Sequence, residues 1–412
     1  MTAAQSVETL HIPEGLNYEC TGCGKCCGGW SVPLTEQDYF RIADIDWGKQ
    51  SPERYFGKSL FREMRDYESE STPYTHAIME GADGHCPFLV DKLCFIHAKF
   101  DSKTKPSICQ LFPYSFNRTP SGTYATISFY SMGAVNNSGR ALVEQRDYLE
   151  SKFAEFNQLY PDHQPNWSQI QLTTGISMTW DQYLTHEEKL ISYIKDRSVS
   201  LENRFLNGSN YLARIMQEAR GSAVAPAVAS TDGAANLNWL DKNLLTALHK
   251  IYFPIDKLGR GEGDFNFYRF LYQTGFQGLF PGTKIRVPGK SYSFETLERM
   301  PFPSTDPDIE DLIYRYFYSR IFGKHYFGAG FGQLSLITGF NHLAIIFGLI
   351  KLQSKAIAKL RNAEVVSYLD VAAAVRQLEK RLGETSLDGM AAATFEALMT
   401  SNRRVARVLA HS

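Results

Sequence analysis

Residues 18–30 read YECTGCGKCCGGW and place four cysteines close together near the start of the chain. The chain has 412 residues and seven cysteines, all of which lie between positions 20 and 109. Cysteines with unrelated structural roles would be scattered, so the clustering predicts a single site. The candidate site residues are Cys20, Cys23, Cys26, Cys27, Cys86, Cys94 and Cys109.

The context of these cysteines favours a metal site over disulfides. A disulfide framework is typical of small secreted domains with an even number of cysteines. This chain is long, its cysteine count is odd, and its first residues show no charged and apolar segments of a secretory signal. The sequence therefore predicts a metal site in a cytoplasmic protein, where thiols stay reduced.

The spacing of the cysteines bears on the identity of the metal. Thiolates are soft ligands that suit zinc, iron–sulfur clusters and, less well, Cu(I). Zinc sites usually use pairs of closely spaced cysteines, whereas the C-x2-C-x2-C run that begins at Cys20 matches a ferredoxin loop, whose remote cysteine precedes a proline. Cys86 precedes a proline, and Cys109 competes for the same role. We expect one [4Fe–4S] cluster, with zinc as the alternative.

Seven thiols exceed the four that one cluster needs. A second metal ion would use the surplus, or some of these cysteines are buried apolar residues. His85 and His97 flank two of the cysteines and could replace a thiolate. Such histidines more often donate a hydrogen bond to cluster sulfur or are solvated.

Three segments together resemble a known family. YECTGCGKCCGGW at 18–30, HCPFLVDKLCFIH at 85–97 and KPSICQLFPYSF at 105–116 resemble the YkgJ-type cysteine-cluster proteins, which are described as zinc- or iron-chelating. The resemblance covers residues 18–118 and implies that all seven cysteines are metal-site positions.

Within that group, the Cys26-Cys27-x2-Trp30 run and the chain length are similar to flagellin lysine-N-methylases. That similarity implies a protein lysine substrate and S-adenosylmethionine as a second cofactor. One departure weighs against it: two residues separate Cys20 from Cys23, whereas the methylases have longer gaps.

The remainder of the chain predicts a mainly α fold with a small β element near the cysteines, because capping boxes and helical periodicity recur. The expected elements are a short helix capped by Thr35, a short helix from Pro106 that carries Cys109, a turn at 117–122 followed by a strand at 124–130, and helices over 140–160, 179–194 and around 371–382, the last ended by Gly383. The expected domains are a cysteine-cluster metal-binding domain at 1–135, a helical region at 136–219, a linker or mobile loop at 220–236, and a helical, aromatic-rich domain at 237–412.

Composition limits the partners. The residues are 43% hydrophobic and 21% charged with a formal charge of −1, which is typical of a globular chain without a dominant nucleic-acid surface. Residues 325–350 contain no Asp, Glu, Lys or Arg, yet polar residues and glycines interrupt them. They predict a buried helix pair, so no integral membrane span is expected. Aromatic-rich segments at 265–276 and 314–327 predict a core.

Two glycine-containing segments are rejected as phosphate loops. GTKIRVPGKS at 282–291 has six residues, where a Walker loop has four, between its glycines, so a surface turn is expected. Gly259, Gly261 and Gly263 follow an acidic residue, but no strand-turn-helix unit surrounds them. The C-x3-C-x2-C spacing of radical S-adenosylmethionine enzymes is absent.

These observations predict a metal-cluster protein and leave its activity open. One hypothesis is an enzyme similar to the protein lysine N-methyltransferases, for which the residues identify no catalytic group. The alternatives are a non-catalytic cluster module that docks a protein partner and an electron-transfer protein.

Overall fold

The computed structural model describes residues 9–65, 69, 72–224, 226–255, 284–382 and 389–412. The expectations for Gly259, Gly261, Gly263, the segment 265–276, Gly282 and Gly383 lie outside the described residues. The described strands are β1 Leu10–His11, β2 Val32–Thr35, β3 Phe61–Glu63, β4 Tyr74–Ile78, β5 Leu89–Val90, β6 Leu93–Cys94, β7 Tyr114–Thr119, β8 Gly122–Ile127, β9 Gln171–Thr173, β10 Ile176–Ser177, β11 Lys284–Val287 and β12 Lys290–Ser293.

Helices make up most of the regular structure and are concentrated after residue 145. The described α-helices are α1 Glu36–Ala43, α2 Trp47–Gln50, α3 Pro52–Tyr55, α4 Phe95–Lys99, α5 Ser107–Leu111, α6 Met132–Val135, α7 Arg146–Leu159, α8 Trp180–Lys195, α9 Leu201–Ala219, α10 Trp239–Tyr252, α11 Phe294–Glu298, α12 Pro307–Phe322, α13 Leu336–Leu360, α14 Tyr368–Leu382, α15 Gly389–Met399 and α16 Asn402–His411. A 3-10 turn at Leu142–Gln145 precedes α7.

The chain forms two compact units. The first, here called the cysteine unit, comprises residues 12–116 and 125–164. The second, the helical unit, comprises 1–11, 117–124 and 165–412. The tip of the β7–β8 hairpin is therefore grouped with the helical unit, in which β1 pairs in parallel with the start of β8.

The cysteine unit is built on a three-stranded antiparallel sheet in the order β2-β4-β3. Residues from this sheet, from α1 to α4 and from the connecting loops form its core. The buried members are Val32, Leu34, Ile42, Trp47, Tyr55, Leu60, Ile78, Phe88 and Ile96. Three of these nine side chains are aromatic, and their ring contacts centre on Trp47 and Phe88. Large rings of this kind bury much apolar area for few residues, which suits a small unit.

The capping signals predicted two helix starts correctly. The Thr35 hydroxyl accepts a hydrogen bond from the Asp38 amide, and the Asp38 carboxylate accepts one from the Thr35 amide, so α1 begins with a full capping box. Thr179 and Gln182 form the same arrangement at the start of α8. These bonds satisfy amides that have no partner inside a helix, which is why the position of the cap is encoded locally.

The predicted hairpin is present with different bounds. Its turn falls at residues 120–121, β7 already begins at Tyr114, and β8 ends at Ile127 rather than at 130. Strands are also more widespread than expected, because β9–β10 and β11–β12 form further hairpins in the helical unit. The second of these covers residues 284–291 of the segment GTKIRVPGKS, and Gly289 takes a φ of +75° in its two-residue turn. These residues form a hairpin turn, as the rejection of the segment as a phosphate loop predicted.

Helix α13 forms the core of the helical unit. It is long and apolar enough to cross a membrane by length and composition, but its most apolar 18 residues are all buried inside the protein. It contacts α9, α14 and α16, among other elements. This packing is that of a core helix, and no integral membrane span is evident among the described residues.

The expected helix pair over 325–350 is wrong in one respect. Residues 325–335 form turns, and a single helix then runs from Leu336 to Leu360. Gly328 and Gly332 adopt φ values of +50° and +60°, which a helix cannot accommodate. The uncharged stretch therefore combines a glycine-rich turn with the first part of one buried helix.

The segment expected as a linker, 220–236, lies within the helical unit and follows the surface of α9. The Asn210 side chain pairs with both backbone groups of Val228, and Asn203 accepts a hydrogen bond of 3.0 Å from the Thr231 amide. Residue 225 is outside the described residues. The described remainder is thus tied to α9 at two points.

Gly208 provides a test of packing between α9 and α13. A Cβ at this position would lie 2.4 Å from the Cζ atom of the buried Phe340. We expect Gly208→Ala to lower the free energy of unfolding by about 1–3 kcal/mol, because overpacking outweighs the better helix propensity of alanine. Urea denaturation measures the change.

The double variant with Phe340→Leu serves as the control. If the ring causes the loss, the double variant is more stable than the sum of the two single effects predicts. Additive effects would place the cause elsewhere.

Candidate metal centre

All seven cysteines fall in the cysteine unit as free thiols. Cys20 is exposed, and the other six are half-buried. Cys86, Cys94 and Cys109 pack against the aromatic core described above. Two sequence-distant segments, 85–97 and 105–116, therefore bring thiols to the same core.

The loop from Cys20 to Cys27 turns tightly around Cys23. Gly22 and Gly24 have φ values of +61° and +69°, and Cys23 between them has a negative φ. The Cys27 amide donates a hydrogen bond of 3.0 Å to the Gly24 carbonyl. Backbone with alternating signs of φ can present successive amides to one concave side, a geometry that binds anionic groups and occurs at many iron–sulfur sites.

The β5–β6 hairpin packs against this loop. A Cβ at Gly24 would lie 3.1 Å from the Leu89 side chain and 3.2 Å from the Lys92 backbone. Leu89 pairs with Cys94 across the hairpin. The two residues of the turn, Asp91 and Lys92, both have positive φ, as a type I′ turn requires. This packing brings Cys94 towards the first cysteine loop.

Cys86 reaches the loop through backbone pairing. Its amide donates a hydrogen bond of 2.9 Å to the Cys27 carbonyl, and the Gly29 amide donates one of 2.7 Å to the Gly84 carbonyl. Gly28 forms an antiparallel bridge with His85 between these bonds. A Cβ at Gly28 would lie 2.6 Å from the His85 ring, so a larger residue there would displace this ring.

Cys109 is held by a buried carboxylate. It lies in α5, whose first residue, Ser107, donates hydrogen bonds to Asp38 from its amide at 3.0 Å and from its hydroxyl at 2.8 Å. The Asp38 side chain is fully buried and also pairs with Arg41. One carboxylate thus caps α1 and anchors the helix that carries Cys109.

Two aromatic side chains fix the start of the site. The Trp30 indole donates a hydrogen bond of 3.3 Å to the Cys26 carbonyl, and the Tyr130 hydroxyl donates one of 3.0 Å to the Gly28 carbonyl. Burial raises the pKa of Tyr18, and the nearby Cys20 and Cys26 thiols act in the same direction. These contacts locate Cys20 and Cys26 around the Tyr18 phenol.

Five of the thiols lie close enough together for one to affect the pKa of another. The hydrogen bond with Cys26 is the largest cause that raises the pKa of Cys27, followed by burial and by the proximity of Cys109 and Cys86. Burial raises the pKa of Cys86 to about 12, with Cys94 adding to the effect. Burial also raises the pKa of Cys109. The protein without metal therefore keeps Cys27, Cys86 and Cys109 neutral, and a metal ion must displace their protons.

The two candidate histidines differ in position. His85 lies beside the Gly28 pairing, and its Nδ1 atom is 3.2 Å from the Asp83 carbonyl oxygen. His97 is exposed on α4. Only His85 is therefore next to the cysteine loops.

The donor chemistry fits a metal that prefers sulfur, since seven thiols and no carboxylate pair dominate the site. As the side chains stand, no three His, Cys, Asp or Glu residues within the described part of the chain are arranged so that they could hold one metal ion. Rotation about χ1 moves a cysteine sulfur between staggered positions while the backbone stays in place. The backbone thus brings the segments together, and ligation requires a change of side-chain rotamers.

Comparison with known proteins agrees with this chemistry. The profile of a family described as "CxxCxxCC: Putative zinc- or iron-chelating domain" matches residues 19–128. Residues 19–128 are similar to this cysteine-cluster family. Metal binding is the property that the match supports. No solved structure matches the chain at a significant level.

A curated relative offers similarity without a function. The uncharacterized protein MJ0939 of Methanocaldococcus jannaschii is 23% identical over 175 residues. The match spans 41% of this chain and 56% of the relative, so this chain covers little more than half of the relative's length. None of these matches names a methylase, and that relation stays a prediction.

The sequence alone identified every thiol but missed the residues that position them. Asp38 was visible only as part of a capping box, and its second role depends on α5, which is far along the chain. Trp30 and Tyr130 carry no local signal for their hydrogen bonds to the cysteine loop. The Gly28–Gly29 pair was a visible signal of close backbone approach.

Asp38→Ala tests whether the carboxylate anchors α5. We expect the free energy of unfolding of the cysteine unit to fall by about 3 kcal/mol, because the change leaves the half-buried amide and hydroxyl of Ser107 without their acceptor and also removes part of the cap of α1. Urea denaturation followed by tryptophan fluorescence measures the loss.

Asp46→Ala provides the matched control, because Asp46 caps α2 from an exposed position. Asp46→Ala should lower the free energy of unfolding clearly less than Asp38→Ala does. Equal losses for the two variants would mean that Asp38 acts only as an ordinary helix cap.

Proposed function

We propose that the cysteine unit binds one [4Fe–4S] cluster. The observation that carries the proposal is the loop from Cys20 to Cys27, in which the sign of φ alternates around Cys23 and whose last residue is hydrogen-bonded to Cys86. A local run of three cysteines with one remote cysteine is the ligand pattern of a cubane cluster. The proposed ligands are Cys20, Cys23, one of Cys26 and Cys27, and Cys86.

The remaining cysteines have supporting roles in this proposal. Adjacent backbone positions project their side chains in different directions, so Cys26 and Cys27 should not serve the cluster equally. Cys109 is the competing remote ligand, since Asp38 holds its helix in place. Cys94 lies on the β5–β6 hairpin and could replace either Cys86 or Cys109 as the remote ligand.

The surrounding residues would orient and shield the cluster. The left-handed glycines direct loop amides towards one side, where they can donate hydrogen bonds to sulfur. The aromatic core behind Cys86, Cys94 and Cys109 keeps water away from that side. When bound, a cluster of this kind supplies a structural cross-link or a one-electron redox centre. Cys20 is exposed, so a cluster bound to it would lie close to solvent. This exposure supports the alternative of an electron-transfer protein.

Anaerobic purification tests the identity of the metal. We expect brown protein with about four irons and four sulfides per chain, as one cubane implies. Replacing each cysteine with serine should lower the iron content in at least four variants, because serine is a hard and poorly ionised ligand. At least one variant should keep its cluster.

Two results would contradict this proposal. Colourless protein with one zinc per chain would identify the alternative metal. Full iron content in all seven serine variants would show that the thiols do not form a shared site. Elemental analysis and sulfide determination distinguish these results.

Gly24→Ala tests the loop without removing a ligand. Gly24 has a φ of +69°, and an added Cβ would press on Leu89 and Lys92. We expect this variant to lose most of its bound iron, because the loop can no longer close around Cys23. Iron per chain, measured after identical anaerobic preparation, gives the result.

Gly57→Ala is the matched control. Gly57 also has a φ of +69°, but a Cβ there meets nothing within 4 Å. Both variants carry a similar backbone strain of about 1 kcal/mol. The control should keep its iron, and equal loss in both variants would attribute the effect to general destabilisation.

The protein lysine N-methyltransferase hypothesis rests on the resemblance of the Cys26-Cys27-x2-Trp30 run and of the chain length. Equilibrium binding of S-adenosylmethionine to the metal-loaded protein decides it, because a methyltransferase must bind its methyl donor. Saturable binding would favour the enzyme. No binding would leave the docking module and the electron carrier, for which a cytoplasmic location is proposed because free thiols persist in a reducing compartment.

A further inference from the structure

A groove in the helical unit lies apart from the cysteines. Its cavity of about 650 Å³ is bounded by one face of α9, by the extended residues 226–229, by Tyr193 of α8 and by the start of α16. Volumes of this size are typical of small-molecule sites. The α9 positions from 207 to 217 extend the groove over about 15 Å of helix.

The wall opposite α9 is held in place by side chains. The Asn210 amide group donates a hydrogen bond of 2.8 Å to the Val228 carbonyl and accepts one of 3.3 Å from the Val228 amide. The Asn402 side-chain amide donates a further hydrogen bond of 2.9 Å to Oδ1 of Asn210. Three separate elements, α9, the extended segment and α16, are thus joined at one point. The cavity is therefore a defined part of the fold.

The charged side chains that line the groove are both cationic. Arg214 and Arg403 line it, and no aspartate or glutamate does among the residues that the structure describes. The Arg214 guanidinium is engaged by Glu218 at 2.9 Å. Arg403 is exposed, and no described residue forms a hydrogen bond or an ion pair with its side chain. The guanidinium of Arg403 is the cationic group available to a ligand.

A second polar group lies in the groove. Asn207 is half-buried, and within the described ranges its amide has no hydrogen-bond partner. A half-buried amide loses part of its hydration, and without a hydrogen-bond partner nothing compensates for that loss. Tyr193 and Tyr211, with ring centroids 6.0 Å apart, add aromatic surface. The groove thus combines a free cation, a free amide and apolar area.

We propose that this groove binds a small organic anion, whose phosphate or carboxylate group is held by Arg403 and Asn207. A guanidinium presents its donors in a planar fork that matches both groups. The described lining offers no carboxylate to a cationic group. The proposal is independent of the cysteine unit.

Isothermal titration of the full, metal-loaded chain with two probes tests the proposal. Adenosine monophosphate carries a phosphate beside a planar ring, and citrate carries carboxylates alone. We expect at least one probe to bind saturably, more weakly at high salt, because a charged contact is screened. The probe that binds identifies the anionic group.

Variants then locate the binding site. Arg403→Gln should weaken binding at least tenfold, and Ala227→Glu, which places an acid on the opposite wall, should abolish it. Arg299→Gln is the matched control, because Arg299 is an exposed arginine of the same unit outside the groove. It should leave binding unchanged. Both groove positions are exposed, so the variants should fold, which thermal denaturation verifies.

Two outcomes would overturn the proposal. One is the absence of saturable binding of either probe to the unmodified chain. The other is a loss of affinity in Arg403→Gln no greater than that in Arg299→Gln. An acidic peptide that binds the groove while both small probes fail would replace the small anion with a protein partner.

Discussion

The hydrogen bond from the Cys86 amide to the Cys27 carbonyl joins two parts of the cysteine cluster that are far apart in sequence. Together with the Gly28–His85 bridge it fixes the register between the two segments. A backbone pairing restrains position without using any side chain, so all the thiols remain available. Gly28 follows Cys27, and the neighbouring hydrogen bond joins the Gly29 amide to the Gly84 carbonyl, so glycines without side chains lie on both segments. The remainder of the cysteine unit depends on this pairing.

Burial of the thiols follows from the same arrangement. Neutral thiols pack against an aromatic core at little cost, since they behave as small apolar groups. Burial and mutual proximity then raise the pKa of Cys27, Cys86 and Cys109, so ionisation requires a compensating positive charge. A bound metal would provide that charge. Metal binding and folding of the unit are therefore expected to stabilise each other.

In the helical unit, buried charged side chains form ion pairs. Lys324 and Glu187 form a buried ion pair at 3.0 Å, and Lys351 pairs with Glu202 at 3.1 Å. Burial lowers the pKa of Lys324 to about 8 and raises the pKa of Glu187, although each charge favours ionisation of the other. Desolvation thus outweighs pairing for both groups, and the pair is better understood as specifying an arrangement than as adding stability. Only at the surface, as at Arg403, do the described residues leave a cation available to a ligand.

Local sequence determined the helix caps at Thr35 and Thr179, most of the helix expected over 140–160, which runs from 146 to 159, and the identity of the seven thiols. Each of these depends on residues a few positions apart. Local sequence did not determine that residues 325–335 turn before a single buried helix, nor that the segment expected as a linker lines a groove on α9. Those outcomes depend on contacts between distant elements. The same holds for Asp38, whose carboxylate serves a neighbouring cap and a distant helix at once. The sequence by itself named the candidate donors of a metal centre, while only the tertiary structure decided which segments lie together, because backbone pairing and buried anchors act across the chain and leave no periodic pattern along it.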